Sequence, residues 1–316
     1  MKIVILDAQT VSRNGDVDLD IYKRYGDLTV YQLTAPELTA ERIKDADIAI
    51  CNKAVIGENE MRGAKNLKFI TVFATGYNNI DVEYAAKRGI VVSNAGTYST
   101  DAVAQHVFAL MLEHFSRVGD YSRFVAEGGW MESPSFSPFV FPADEIAGKT
   151  LGIFGLGTIG KAVADVALAF KMRVIACSRT PKNYKTVEDV DFSALLRESD
   201  ILSLHCPLTA ETKHTFNKDA FDRCKDGAYL INTARGAVTV ERDLADAVRS
   251  GKLSGAAIDV LDGEPMKPGC PIYGVPGITI TPHVAWGPLT TRKRLIKIIC
   301  GNIEGFLAGN PINKVN

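Results

Sequence analysis

The sequence carries no excess of charge. Its 36 Lys and Arg against 37 Asp and Glu leave a formal net charge of −1, and these side chains are spread along the chain. The electrostatic footprint of a nucleic-acid binder is therefore missing. No apolar run approaches the roughly 20 residues needed to span a bilayer. The opening MKIVIL shows no charged-then-apolar leader, so a cytoplasmic protein without a membrane partner is expected. The six cysteines, Cys51, Cys177, Cys206, Cys224, Cys270 and Cys300, lie far apart, with no CxxC pair and no His/Cys cluster at ligand spacing. Buried reduced thiols are expected, and no metal site. No GxSxG elbow precedes a helix and no acidic metal loop occurs, so hydrolase and metalloenzyme readings have no foothold. Small molecules or other proteins remain as partners.

What is present is a chain of 316 residues, 46% of them hydrophobic, long enough for two cores. The runs KIVIL, LTVYQL, DIAIC, LKFITVF and GIVVS alternate with helical stretches. A second series follows, with strands expected at Thr150–Phe154, Arg173–Cys177, Ile201–His205, Ala228–Asn232, Ala256–Val260 and Ile278–Thr281. This βαβ rhythm predicts an α/β chain of two doubly wound parallel-sheet domains. Between the series, STDAVAQHVFALMLEHFSRV reads as one long helix and the natural hinge. TTRKRLIKIICGNIEGFLAGN reads as a final helix crossing back to the first domain. The expected division is 1–98 with 288–316, and 99–287. The segment GGWMESPSFSPFVFPADEIAG, long and aromatic, reads as a dimer arm, because Trp130, Phe136, Phe139 and Phe141 would otherwise be exposed together.

In LGIFGLGTIGKAVADVALAF, Gly155, Gly157 and Gly160 follow an apolar strand and open a helix whose apolar face reads as Ile159, Val163, Val166 and Phe170. In that setting GxGxxG is the fingerprint of a dinucleotide-binding turn. Gly155 permits the turn, Gly157 lets backbone approach a pyrophosphate, and Gly160 lets helix pack on strand. The N–H groups at the helix start, Thr158 and Ile159, would face the phosphates. At the end of the next strand, where an acid would hold a ribose 2′-hydroxyl, stand Ser178, Arg179 and Thr180, with Lys182 beyond. SRTPK reads as a clamp for a 2′-phosphate, which favours NADP(H) over NAD(H); a solvated basic turn is the alternative.

Three polar residues follow three later strands: Arg235 in NTARG, Glu264 in DVLDGEP and His283 in TPHVAW. Ligands of open parallel sheets bind outside the carboxyl ends of the strands. Delivering hydride to a ketone leaves negative charge on oxygen, and imidazole is suited to supply the proton. Glu264 would orient His283 and keep it protonated, and Arg235 would hold the carboxylate and carbonyl of a 2-keto acid. Singly, these fit a surface ion pair, a turn carboxylate and a structural histidine; their joint position is what marks them. His106, His114 and His205 read as structural.

These blocks resemble the D-isomer-specific 2-hydroxyacid dehydrogenase family over nearly the whole chain. The resemblance implies a flavodoxin-like substrate domain and a Rossmann cofactor domain with a cleft between them. It implies that ATGYNNID holds the substrate carboxylate through N–H groups near Thr75 and Gly76. It also implies that LHCPLTAET, with Pro207, lies beside the nicotinamide, as would Thr233 of NTARG, and that Asp259 faces the nicotinamide amide. CNKAVI and TPHVAW look most like the glycerate dehydrogenase or hydroxypyruvate reductase branch. Lys53 would then supplement Arg235, and Trp286 would wall the pocket; a solvated lysine and a dimer-interface tryptophan are the alternatives. The implied reaction is reduction of hydroxypyruvate or glyoxylate to the D-2-hydroxy acid, by a homodimer. The family also includes dinucleotide-sensing corepressors without turnover. Formate enzymes replace the Glu partner of the histidine, which is present here as Glu264.

Overall fold

A computed structural model describes residues 1–316, in which twelve strands form two parallel sheets. In the first sheet, β1 (Lys2–Ile5), β2 (Asp27–Val30), β3 (Ile48–Cys51), β4 (Phe69–Val72) and β5 (Val91–Ser93) lie in the order β2-β1-β3-β4-β5, which is the flavodoxin-like order. The second holds β6 (Thr150–Phe154), β7 (Arg173–Cys177), β8 (Glu188–Asp189), β9 (Ile201–Leu204), β10 (Ala228–Asn232), β11 (Leu253–Ile258) and β12 (Ile278–Ile280). Their order, β12-β11-β10-β9-β6-β7-β8, is the Rossmann order with one strand added, and it reverses direction between β6 and β9. The α-helices are α1 (Thr39–Ile43), α2 (Glu58–Arg62), α3 (Val82–Lys87), α4 (Thr100–Ser116), α5 (Val118–Ala126), α6 (Thr158–Ala169), α7 (Phe192–Glu198), α8 (Lys218–Asp222), α9 (Glu241–Arg249) and α10 (Leu289–Leu307). None is long and apolar enough to cross a membrane.

The chain divides into Met1–Ser99 with Trp286–Asn316, and Thr100–Ala285. The return crossing thus falls two residues before the expected position 288, and Trp286 belongs with the first unit, where its ring meets Tyr98 edge-on at 6.3 Å.

In the first unit the strand period of two sets both faces. Ile3 and Ile5 point to a core shared with Leu295, Ile299 and Ile303 of α10, while Val4 packs with Ile43, Met61 and Ala85 of α1, α2 and α3. Each such aliphatic side chain, once fully buried, contributes about 1.5–3 kcal/mol. Phe306 of α10 stacks on Phe69 at 4.6 Å, so the C-terminal helix completes this core.

In the second unit α4 and α6 cover one face of the sheet, with Val103, Val107 and Met111 against Val163, Ala164 and Ala167. The buried face of α6 is Gly160, Val163, Ala164 and Ala167, whereas Val166 and Phe170 are 36% and 39% exposed. The expected face was therefore rotated toward the bulkier residues; small side chains are what let α6 approach α4. The expected long helix is present as α4, two residues shorter at its end. It ends at Ser116, Arg117 takes φ 55°, and α5 starts at Val118. β11 begins at Leu253, before the expected Ala256, since Leu253 already pairs with Ala228 of β10; Gly255 then leaves room for the Gly277 carbonyl just before β12, 2.5 Å from where a Cβ would lie. In the expected arm, Phe141 packs edge-on against Tyr121 at 5.1 Å, while Trp130, Met131, Phe136 and Phe139 remain exposed.

Candidate active site

The glycine turn follows directly from β6. Gly155 has φ 100°, and a Cβ there would lie within 2.9 Å of the Cys206 and His205 backbone. A Cβ on Gly160 would meet the Gly155 carbonyl at 2.4 Å, so helix and turn are in contact. Gly157, by contrast, faces open space and caps α6 without a side-chain hydrogen bond. The first N–H groups of this twelve-residue helix, at Thr158 and Ile159, are left for an anion. At the end of β7, the Ser178 hydroxyl oxygen accepts the Leu156 N–H at 2.8 Å, which leaves its own proton to donate. Arg179 and Thr180 are exposed. The turn beyond is pinned by Asp189, which accepts the backbone N–H groups of Lys182 (3.1 Å) and Asn183 (3.0 Å). Glu211 is held below its usual carboxylate range first by the Thr209 hydroxyl and, more weakly, by the charge of Arg179. Across the sheet, the Thr233 hydroxyl is buried without a hydrogen-bond partner. An orphaned buried hydroxyl, an uncapped helix start and open space at Gly157 together fit a nicotinamide dinucleotide. Pro207 lies exposed just beyond β9, on a loop closed by the Thr212 hydroxyl donating to the Pro207 carbonyl at 2.7 Å.

Three further residues leave one edge of the same sheet. Asn232 pairs with Ile258 and Ile258 with Ile280, so β10, β11 and β12 end in register. Arg235, Glu264 and His283 follow these strands in turn. The first two loops touch: a Cβ on Gly236 would lie 1.9 Å from the Leu261 carbonyl carbon. Glu264 Oε1 accepts the Leu261 N–H at 3.0 Å, and Oε2 lies 2.7 Å from His283 Nδ1. Facing a carboxylate, Nδ1 carries a proton, so Nε2 is the nitrogen that exchanges one. The Glu264–Pro265 peptide is cis. Arg235 gives one Nη1–H to the Ala234 carbonyl at 2.7 Å, leaving the rest of its guanidinium fork for a ligand.

His283 takes φ 54°, the left-handed region disfavoured for a residue with a Cβ. Asp259, 1% exposed, holds it there by accepting the Val284 and Ala285 N–H groups, both at 2.9 Å, and the Thr281 hydroxyl at 2.5 Å. The resemblance directs this carboxylate at the nicotinamide; in the structure three of its hydrogen bonds serve the His283 loop. Of the other histidines, His205 bonds the Ser203 hydroxyl at 2.8 Å and His114 stacks on Tyr229 at 3.8 Å. Burial lowers both to a pKa of about 4, with Arg117 adding to the effect at His114.

In the first unit, Asp7 follows β1 and is 3% exposed. It accepts the consecutive N–H groups of Asn52 (2.8 Å), Lys53 (2.6 Å) and Ala54 (2.8 Å), fixing the loop that presents Lys53. Burial raises its pKa, against the pull of those bonds. Beyond β4, Thr75 donates its hydroxyl to the Gly96 carbonyl, and its own carbonyl accepts Asn94 Nδ2 at 2.7 Å. Gly76 follows it, partly exposed. Neither Asp7 nor Asn94 was marked in the sequence reading; the available signal was a lone polar residue directly after an apolar strand.

The family model for the NAD binding domain of D-isomer specific 2-hydroxyacid dehydrogenases matches residues 108–285. The chain is 40% identical to a hydroxypyruvate reductase of Blautia hydrogenotrophica over 322 residues, covering 100% of both chains. It is 35% identical to a glycerate dehydrogenase of Methylorubrum extorquens, covering 99% of this chain and 98% of the other. Among solved structures, an acyclic imino acid reductase in complex with NADPH and D-Arg superposes with a TM-score of 0.89 at 31% identity, covering 100% of both. With the dinucleotide turn and the Arg, Glu and His edge already in place, the chain belongs to the D-isomer-specific 2-hydroxyacid dehydrogenase family.

Proposed function

We propose that the protein reduces a small 2-keto acid, of the hydroxypyruvate or glyoxylate class, to its D-2-hydroxy acid with NADPH. The observation that carries this reading is the 2.7 Å His283–Glu264 pair at the strand edge that also bears Arg235. The names hydroxypyruvate reductase and glycerate dehydrogenase among the relatives support the substrate class. When bound, the nicotinamide supplies the hydride. The Gly155–Gly160 turn and α6 would hold the diphosphate. Ser178, Arg179 and Thr180 would hold the 2′-phosphate, a reading supported by the missing acid at Ser178 and by NADPH in a structural relative. Thr233, Pro207 and Asp259 would border the nicotinamide. His283 Nε2–H gives a proton to the carbonyl oxygen as charge develops there. Glu264 orients the ring, and Arg235 binds the carboxylate and carbonyl oxygen. Lys53 and the N–H groups of Thr75 and Gly76 add to carboxylate binding, and Trp286 limits the size of the substrate side chain.

The test is NADPH oxidation on a panel of 2-keto acids, with saturable turnover on hydroxypyruvate or glyoxylate expected. Tight NADPH binding with no turnover on any keto acid would instead fit a dinucleotide-sensing binding protein. We further propose a homodimer whose arm is 128–142, supported by five large apolar side chains left exposed there: Trp130, Met131, Phe136, Phe139 and Val140. Sedimentation at micromolar concentration should give a dimer; a monomer alone contradicts the arm.

A further inference from the structure

His106 lies on α4, in sequence far from the reacting residues, yet its ring meets the loop that carries His283. Its Nε2 is 3.1 Å from the Thr281 hydroxyl oxygen and 3.6 Å from Asp259 Oδ1. We propose that His106 is a positioning residue: through Thr281 it fixes Asp259, and Asp259 holds the backbone that keeps His283 in its left-handed conformation. The inference rests on the reading of His283 as proton donor.

The order of the protons follows from the donor inventory. Asp259 accepts two backbone N–H groups, and as a carboxylate it has no proton to give. The single proton of the Thr281 hydroxyl must then lie on the 2.5 Å contact to Asp259 Oδ1. Thr281 Oγ1 can only accept from His106, so Nε2 of His106 carries a proton. A directed chain results, from His106 Nε2–H to Thr281 Oγ1–H to Asp259 Oδ1. Val284, the residue after His283, donates to the same Oδ1, and Ala285 donates to Oδ2. The His283 N–H closes the turn on the Thr281 carbonyl at 3.0 Å. Thr281 thus holds His283 by its backbone and Asp259 by its side chain, and His106 sets which way that side chain points.

The support behind His106 is rigid. Val103 and Val107, which flank it on α4, are buried in the core of the second unit. Take away the imidazole and the Thr281 hydroxyl loses its donor, becomes free to rotate, and no longer fixes Oδ1. A turn held in a disfavoured conformation relaxes when a restraint goes, and the imidazole moves with it. Misplacing a catalytic group by about 1 Å costs on the order of a hundredfold in rate.

The experiment is steady-state kinetics with NADPH and hydroxypyruvate for His106→Leu, His106→Gln, Thr281→Val and Thr281→Ser. Leu and Val should lower kcat by roughly tenfold or more, with the KM for hydroxypyruvate little changed, since Arg235 is untouched. Gln keeps a donor near the Nε2 position and Ser keeps the hydroxyl, so both should restore most of kcat. A wild-type kcat in His106→Leu, or Gln as impaired as Leu, overturns the proposal. Should His106→Leu fail to fold, the Thr281 pair decides alone, and Val equal to wild type overturns it. His283→Gln in the same assay separates the two levels. If it keeps turnover, the reading of the site fails and the positioning role with it. If it is inactive while His106→Leu and Thr281→Val are unimpaired, only the positioning role fails.

Discussion

Each unit holds one loop of the proposed site with one buried aspartate, and the two do it differently. Asp7, after β1, accepts three consecutive backbone N–H groups from Asn52, Lys53 and Ala54. Asp259, after β11, accepts two backbone N–H groups and the hydroxyl of Thr281, which in turn meets His106. The first clamp contacts only backbone in the loop it holds, so it fixes the path of the chain whatever side chains that loop carries. The second depends on specific side chains, because it must hold His283 at φ 54°. The Lys53 loop is held mainly through its backbone, to which Asp7 and the Asn79 side chain bind, with the Asn52 side chain adding one hydrogen bond to Thr10. A loop that aims a proton donor is also held through side chains, where geometry can be set more closely.

The largest effect is expected at the proposed donor itself. His283→Gln should reduce kcat by roughly a hundred- to ten-thousandfold, the range of general acid catalysis, with NADPH affinity nearly unchanged by fluorescence titration. Next come the clamps. Asp259→Asn should act mainly on kcat, and Asp7→Asn mainly on the KM for the keto acid. Each also loses about 1–3 kcal/mol of stability by leaving a buried N–H unsatisfied. If both variants changed kcat alike, the contrast between the clamps would be broken. Arg179→Ala should lose about 1.5–3 kcal/mol of NADPH binding, the worth of a charge-assisted hydrogen bond, with little change for NADH; equal weakening of both would assign Arg179 to general attraction. A separate effect, outside the site, is on stability against pH. His205 and His114 fall to about 4 in the folded protein, below the unfolded value of 6.5, so below that value the unfolded chain binds more protons. Their contribution is complete above pH 6.5 and is lost as pH falls toward 4. The melting temperature should drop across that window, less steeply in His114→Gln; an unchanged slope would refute the assignment.

Much of this was legible in the sequence, for identifiable reasons. Strands of a parallel sheet covered on both faces read as continuous apolar runs, so both sheets could be drawn in advance except for β8, whose Glu188–Asp189 carries no apolar signal. Arg235, Glu264 and His283 stood out because each follows a strand end. The face of α6 was only partly legible: Ile159 and Val163 pack on the core as expected, but Gly160, Ala164 and Ala167 carry little hydrophobic signal although they permit the closest packing. The stop at Ser116 falls two residues before the expected end, and Arg117, which follows it, carries no helix-ending signal of its own. The clamps of Asp7 and Asp259 bind backbone N–H groups, which every residue has, so the loops they hold carry no mark; the one sign is a lone polar residue directly after an apolar strand, and Asp259 was named through the resemblance alone.

Reduction of a 2-keto acid at this strand edge is tested by the hydroxypyruvate-dependent loss of NADPH absorbance, with product identified by a D-specific coupled enzyme. Saturable oxidation of NADPH is expected, with a higher kcat/KM than for NADH and with the D-hydroxy acid as product. Dinucleotide binding without turnover on hydroxypyruvate or glyoxylate would contradict it.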